Sequence, residues 1–136
     1  MRLQIVTPVK LIKEVDTSSV TLPTVSGEIT ILPKHQPILT LLVEGIVTYK
    51  MADKAESLAI GGGYAQTDGN IMRILVASAY GQDAIDDKMT QEAITNAQTI
   101  LKESKDSGER SSAQAVLRRS IIDSKLIKKH KHTLNI

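Results

Sequence analysis

The residues of this chain whose types could do chemistry are three histidines, a run of glycines, a pair of aspartates and a basic terminal segment. His35 stands between Pro33 and Pro37, with Lys34 and Gln36 beside it, in the stretch GEITILPKHQPILTLL at 27–42. An imidazole can ligate a metal or move a proton, but either task needs partners. His130 and His132 form an HKH near the C-terminus, without an HExxH arrangement or a carboxylate placed to support a ligand. Two residues apart, they fall on different faces of a helix and would chelate only from an extended segment. With no Cys, thiolate metal sites, Cys nucleophiles and disulfides are excluded. His35 therefore reads as part of an exposed loop held between prolines that fix φ, a place suited to recognition by another protein.

Gly61-Gly62-Gly63 invites a phosphate-loop reading, but it lacks a GK[ST] ending, opens no helix and fits no GxGxxG spacing. Inside a strand pattern such a cluster marks a bulge or a close approach of backbones. Around Asp86-Asp87 the sequence suggests no Ser-His-Asp set, paired-carboxylate cleft or metal cluster, and acids at a helix start are favoured by the helix dipole alone. The basic segment carries more information. Residues 1–85 hold 7 Lys/Arg against 8 Asp/Glu, whereas residues 86–136 hold 10 against 7. The excess gathers at the end, where Arg118, Arg119, Lys125, Lys128, Lys129 and Lys131 face only Asp123. Placed beside Ile121 and Leu126, these cations suit an acidic protein groove. A nucleic acid is the alternative partner. Against it stands the absence of Phe and Trp, since single-strand binders stack bases on aromatic rings.

These residues need a scaffold, and 136 residues with 41% hydrophobic content allow one domain, or a small domain with an appendage. Mean hydropathy is near zero. No apolar run reaches the roughly 18–20 residues of a membrane helix, and the opening residues lack a signal-peptide core, so the chain is expected to stay in the compartment where it is made. Up to about residue 82 the sequence reads as short strands at 3–8, 11–16, 19–25, 28–33, 45–51, 57–62, 64–67 and 71–78, rich in Ile, Val and Thr. TDGN at 67–70 is the best hairpin turn. From Asp83 the period changes: Ile85, Met89, Ala93, Ala97, Ile100 and Leu101 mark one helix face, with Asp86 or Asp87 as cap. KESKDSGERSS (102–112) reads as a helix end plus turn, and a second helix follows with Ala113, Val116, Leu117, Ile121 and Ile127 on one side. The expectation is an α+β chain: an N-terminal two-sheet antiparallel β-sandwich at 1–84, then a C-terminal antiparallel α-helical hairpin at 85–136.

The order LQIVTP, GEITILPKHQPILTLLVEGIV, GGGYA and a helical segment opening with GQDAID resembles the ε subunits of F-type ATP synthases; AVLRRS at 115–120 is similar to plastid and cyanobacterial members. The resemblance implies a non-catalytic rotor subunit of a proton- or sodium-translocating rotary ATP synthase. In that family the sandwich binds the γ subunit and sits on the ring of membrane c subunits. Glu28 and the loop with Lys34, His35 and Gln36 would lie near the polar loops of that ring. The hairpin would fold against the sandwich, or extend along γ toward the catalytic α and β subunits and restrain ATP hydrolysis. In the extended state Arg118, Arg119, Lys125, Lys128 and Lys129 would face an acidic segment of β. Membrane association would come only through the complex, on the cytoplasmic face in a bacterium or the stromal face of the thylakoid in a plastid. Some members bind ATP on the hairpin through Ile/Leu-Asp-x-x-Arg-Ala. Here Ile85 and Asp86 match, but Met89 and Thr90 replace the Arg and Ala, and Lys88 points about 100° away. Arg118 and Arg119 could still contact phosphates, so the degraded motif leaves ATP open as a regulatory ligand, and no other cofactor is implied.

Overall fold

The computed structural model describes the backbone of residues 1–134 and the side chains through Lys129. The chain divides between Gly81 and Gln82 into two compact units, against the 84/85 junction read from the composition shift.

The first unit is a sandwich of two five-stranded sheets. Its strands are β1 (Arg2–Val6), β2 (Leu11–Asp16), β3 (Ser19–Thr24), β4 (Gly27–Ile31), β5 (Ile38–Leu42), β6 (Gly45–Lys50), β7 (Ala55–Ile60), β8 (Gly63–Thr67), β9 (Ile71–Val76) and β10 (Ala79–Tyr80). One sheet runs β2-β1-β9-β8-β5 and the other β10-β7-β6-β3-β4. Period-two alternation turns Leu3 and Ile5, Val20 and Leu22, Val47 and Tyr49, and Met72, Ile74 and Val76 into the space between the sheets. Each of these contributes roughly 1.5–3 kcal/mol by leaving water. With Phe and Trp absent, Tyr49 is the core's one aromatic ring among the described residues.

Every pair is antiparallel except β1 with β9, which run parallel because the first strand slots between β2 and β9. A second difference is β5. The residues after Pro37 read as a featureless apolar run, yet they pair with β8 from Ile38↔Thr67 to Leu42↔Gly63. Ile38, Thr40 and Leu42 turn inward while Leu39 and Leu41 stay exposed, so hydropathy does not alternate although burial does. Pro23 sits inside β3 without cost to the ladder. The β3–β6 pairing covers only Ser19–Thr21, so the missing N–H falls beyond it, and the Pro23 carbonyl accepts from Val43 N at 3.1 Å.

The second unit opens with a 3-10 turn (Gln82–Ala84), followed by α1 (Asp87–Glu103) and α2 (Ser107–Leu134). Asp86 is the cap of α1, its carboxylate accepting from Met89 N at 3.0 Å. Asp106 does the same for α2, accepting from Glu109 N at 2.8 Å. Gly108 thus lies in the first turn of α2, and the break between the helices is shorter than the polar run 102–112 implied. The antiparallel pair is tied at one end by Gln91 Nε2 donating to Ser124 Oγ at 3.4 Å. At the other end the Arg110 guanidinium donates to the carbonyls of Leu101 and Ser104. The expected faces hold at Ala97 and Ala113 and shift elsewhere. Thr90 and Ala97 on α1, and Ala113, Ser120 and Leu126 on α2, are buried, whereas Met89, Ile100, Val116 and Ile121 are exposed. Small residues let the helices approach closely, and Thr90 tolerates burial because its hydroxyl donates to Asp86 O at 2.8 Å.

Candidate functional site

The proline-bracketed loop is a fixed turn. Lys34 adopts a left-handed backbone with φ of 67°, its N–H donates to Gly69 O at 2.9 Å, and His35 N donates to Leu32 O at 3.2 Å. The facing β8–β9 turn is built by Asp68, whose carboxylate accepts from Asn70 N at 2.9 Å and Ile71 N at 3.0 Å. These backbone bonds from Ile71 and Asn70 hold the Asp68 carboxyl below its usual range. Gly69 has φ of 99°, and a side chain there would bring Cβ within 2.9 Å of His35 O. Lys34, His35 and Gln36 are all exposed on this turn. The His35 ring spends Nδ1 on the Gln36 carbonyl at 2.7 Å, which fixes Nδ1 as the protonated nitrogen. Among the described residues no group of His, Cys, Asp or Glu could hold a metal ion. His130 and His132 lie outside the described side chains.

Glu28 does not join this loop. It pairs with Pro23 next to the β3–β4 turn, at the end of the sandwich that also holds the β1–β2 turn and Val43, Gly62 and Ala77. The Lys34–Gln36 loop lies at the other end, with Asp68–Asn70 and Asp16–Ser18. About 10 Å of strand from Glu28 to Ile31, plus the loop itself, separates the two positions.

The glycine run is structural. A Cβ on Gly63 would lie 2.1 Å from Leu75 O, so only glycine lets β8 pass β9 there. On the hairpin, Asp86 spends its carboxylate on the α1 cap, Ile85 is half-buried and Met89 points to solvent. Arg118, Arg119, Lys125, Lys128 and Lys129 are all exposed. At about 100° per residue, Arg118, Lys125 and Lys129 form one ridge, with Lys128 about a quarter-turn to one side and Arg119 about a quarter-turn to the other. Leu126 is buried and unavailable beside them, so Ile121 is the apolar neighbour of the ridge.

One surface escaped sequence reasoning. Pairing places Leu41 opposite Tyr64, Tyr64 opposite Leu75, Leu75 opposite Val6 and Val6 opposite Leu11. Five apolar side chains therefore cross the outer face of the first sheet in one row, Leu41 being 70% exposed and Leu11 50%. The next row along begins with Leu39 and is otherwise polar: Gln66, Arg73, Gln4 and Glu14, with Arg73 Nε donating to Gln4 Oε1 at 3.2 Å. An apolar row with a polar border is the anatomy of a protein interface. Its members are scattered from residue 6 to residue 75, and only strand register assembles them.

At the β2 edge of the same sheet a charged clasp joins the two layers. Glu56 of β7 accepts from the Tyr49 hydroxyl at 2.9 Å and pairs with Lys13 of β2 and with Lys54, each at 3.3 Å. Burial alone would raise the Glu56 carboxyl, but the bonds from Tyr49 and Lys13 hold it below its ordinary value. Burial, then the bond to Glu56, pushes the Tyr49 hydroxyl well above its own.

A family model described as ATP synthase, Delta/Epsilon chain, beta-sandwich domain matches residues 1–82. The chain belongs to this ATP synthase family. It is similar to the chloroplastic ATP synthase epsilon chain of Marchantia polymorpha, 37% identical over 103 residues that cover 76% of each chain. With the epsilon chain of Moorella thermoacetica it shares 30% identity over 122 residues, 89% of this chain and 91% of that one. In fold it resembles a chain of the Euglena gracilis mitochondrial ATP synthase, with a TM-score of 0.69 at 22% identity, covering 97% of this chain and 79% of that one. The family places it as a non-catalytic, epsilon-type subunit of ATP synthase, in agreement with the reading of its motifs and with its β-sandwich and helical hairpin. The model match ends within a residue of the division between the two units. Among the described residues, no helix is long and apolar enough to cross a membrane.

Proposed function

We propose that this chain is a central-stalk rotor subunit that couples rotation of the membrane c-ring to the catalytic head through γ, and that its hairpin restrains ATP hydrolysis. The in-register apolar row on the outer face of the first sheet carries this reading, because a rotor subunit needs one firm contact that survives torque. We assign γ to that face. The ring contact belongs to the Glu28 end of the sandwich, where Val9 and Val25 are 88% and 81% exposed among Lys10, Glu28 and Glu44. Lys34, His35 and Gln36 then shape the far end. The ridge of Arg118, Lys125 and Lys129, flanked by Lys128 and with Arg119 to the side, meets an acidic segment of the α and β subunits when the hairpin extends. Membrane association comes through the complex alone, on the cytoplasmic face of a bacterial membrane or the stromal face of a thylakoid. Nucleotide is not held on the hairpin, since Asp86 is committed to capping and Met89 stands where the motif has Arg.

The experiment is reconstitution into a complex lacking this subunit. A chain ending at Gln82, which retains the whole first unit, should restore γ binding and proton-coupled synthesis while hydrolysis runs several-fold faster than with the full chain. Equal hydrolysis rates with the full and shortened chains would remove the regulatory half of the proposal; failure of either chain to bind would remove all of it.

A further inference from the structure

The turn that joins α1 to α2 is closed by polar side chains more than by packing. The last carbonyls of a helix lack intrahelical partners. Here the guanidinium of Arg110, at the start of α2, donates to those of Leu101 and Ser104. Ser104 Oγ accepts from Asp106 N at 3.2 Å and donates to Glu109 Oε2 at 2.6 Å, while Asp106 caps α2 through Glu109 N. Glu109 is thereby engaged, and the half-buried Arg110 guanidinium is left with backbone carbonyls as its partners. Packing adds little at this end. The buried side chains of the helix pair are small apart from Leu126, which lies far from the turn. Beside the turn a hollow of about 490 Å³ stays open between Ala97, Ile100, Gly108, Ala113 and Val116.

A second arrangement satisfies the same carbonyls without Arg110. Were residues 104–106 helical, α1 and α2 would run on as one helix, and the carbonyls of Leu101 and Ser104 would accept from Lys105 N and Gly108 N, four residues along. Nothing in KESKDS at 102–107 forbids this. The run holds neither proline nor glycine, and Lys102, Glu103 and Lys105 are good helix formers. We infer that residues 104–106 are a turn-to-helix switch, and that Arg110 is the positioning residue that holds it in the folded-back state. Its guanidinium stands in for the two backbone N–H groups that the turn withdraws, and its charge lies at the negative end of the α1 dipole. Both states leave the two carbonyls bonded, so a few polar contacts set the balance between them. That balance belongs to the chain alone and does not depend on the rotor reading.

The test measures the distance between two spin labels on the full chain. The sequence has no Cys, so Glu92→Cys and Lys125→Cys, both at exposed positions, give unique attachment sites. With Gln91 bonded to Ser124, the labels on the folded-back pair lie within about 20 Å of each other. Along one continuous helix they lie about 50 Å apart. Arg110→Ala should raise the ratio of long to short distances at least about tenfold, with the helical circular dichroism undiminished. Arg119→Ala, which removes an equal charge from an exposed position, should change the ratio no more than about twofold. Adding Ser107→Pro to Arg110→Ala should restore the short distance, because proline suits the first position of α2 but breaks a helix that runs through it. An unchanged ratio in Arg110→Ala overturns the inference. So does a loss of helical signal without the long distance, which would make Arg110 a prop of the fold alone. A long distance that Ser107→Pro fails to reverse overturns it as well.

Discussion

At the scale of single residues, Glu56 does more for the sandwich than its position near the surface implies. One carboxylate receives the hydroxyl of Tyr49 from its own sheet, Lys13 from the other sheet and Lys54 from the adjoining turn. Its side chain is 32% exposed, so solvent screens the ion pairs and the Tyr49 bond matters most. Glu56→Gln should cost about 1 kcal/mol near neutral pH, measured by urea unfolding. The sign with pH follows from the depressed carboxyl. Its stabilisation is present above the ordinary value of 4.5 and is lost as pH falls through the lower folded value. Wild type and variant should therefore converge toward about pH 3; a constant difference across that range would mean that packing rather than charge is at work. Asp86 shows how much of this scale the sequence reveals, because a cap is a local rule spanning four residues. The clasp was hidden, since Lys13 and Glu56 meet only after two sheets have stacked.

At the scale of elements, local periodicity located nearly every strand and both helices, and failed where side-chain direction and hydropathy part company. β5 lacks alternation because Leu39 and Leu41 face outward on the side of the proposed interface. The helix faces were read rightly at Ala97 and Ala113 and wrongly at Met89, Ile100, Val116 and Ile121, because small residues lie where α1 and α2 approach most closely. The same shift sharpens the reading of the basic segment. If docking uses the ridge, Arg118→Gln, Lys125→Gln and Lys129→Gln together should relieve inhibition of ATP hydrolysis several-fold and flatten its dependence on salt. Exposed pairs contribute about 0.2–1 kcal/mol each, so three together, about 0.6–3 kcal/mol, bring a change between roughly threefold and about a hundredfold. Arg119→Gln, about a quarter-turn from the ridge, should have little effect. Hydrolysis rates over a salt series decide it, and equal relief from Arg119→Gln would show that net charge, not the ridge, is sensed.

At the scale of the whole molecule, the sandwich has two ends, and the motif that first drew notice spans both. Glu28 and His35 are seven residues apart in one conspicuous block, which made them look like parts of one contact. The strand β4 carries the chain from one end to the other between them. On the proposed ring contact a rigid sandwich can present only one end, so one of the two must be elsewhere. The exposed valines Val9 and Val25 both lie at the Glu28 end. At the other end the His35 loop is occupied in holding Gly69 and the β8–β9 turn through Lys34 N. Cysteines placed singly at Val25, Glu28 and His35 separate the possibilities in the assembled complex, with a short cross-linker and cysteines in the polar loops of the c subunit. Val25→Cys and Glu28→Cys should cross-link to the ring and His35→Cys should not, while all three support assembly. Cross-linking from His35→Cys alone would turn the sandwich over on the ring, leaving Val9 and Val25 to face some other surface.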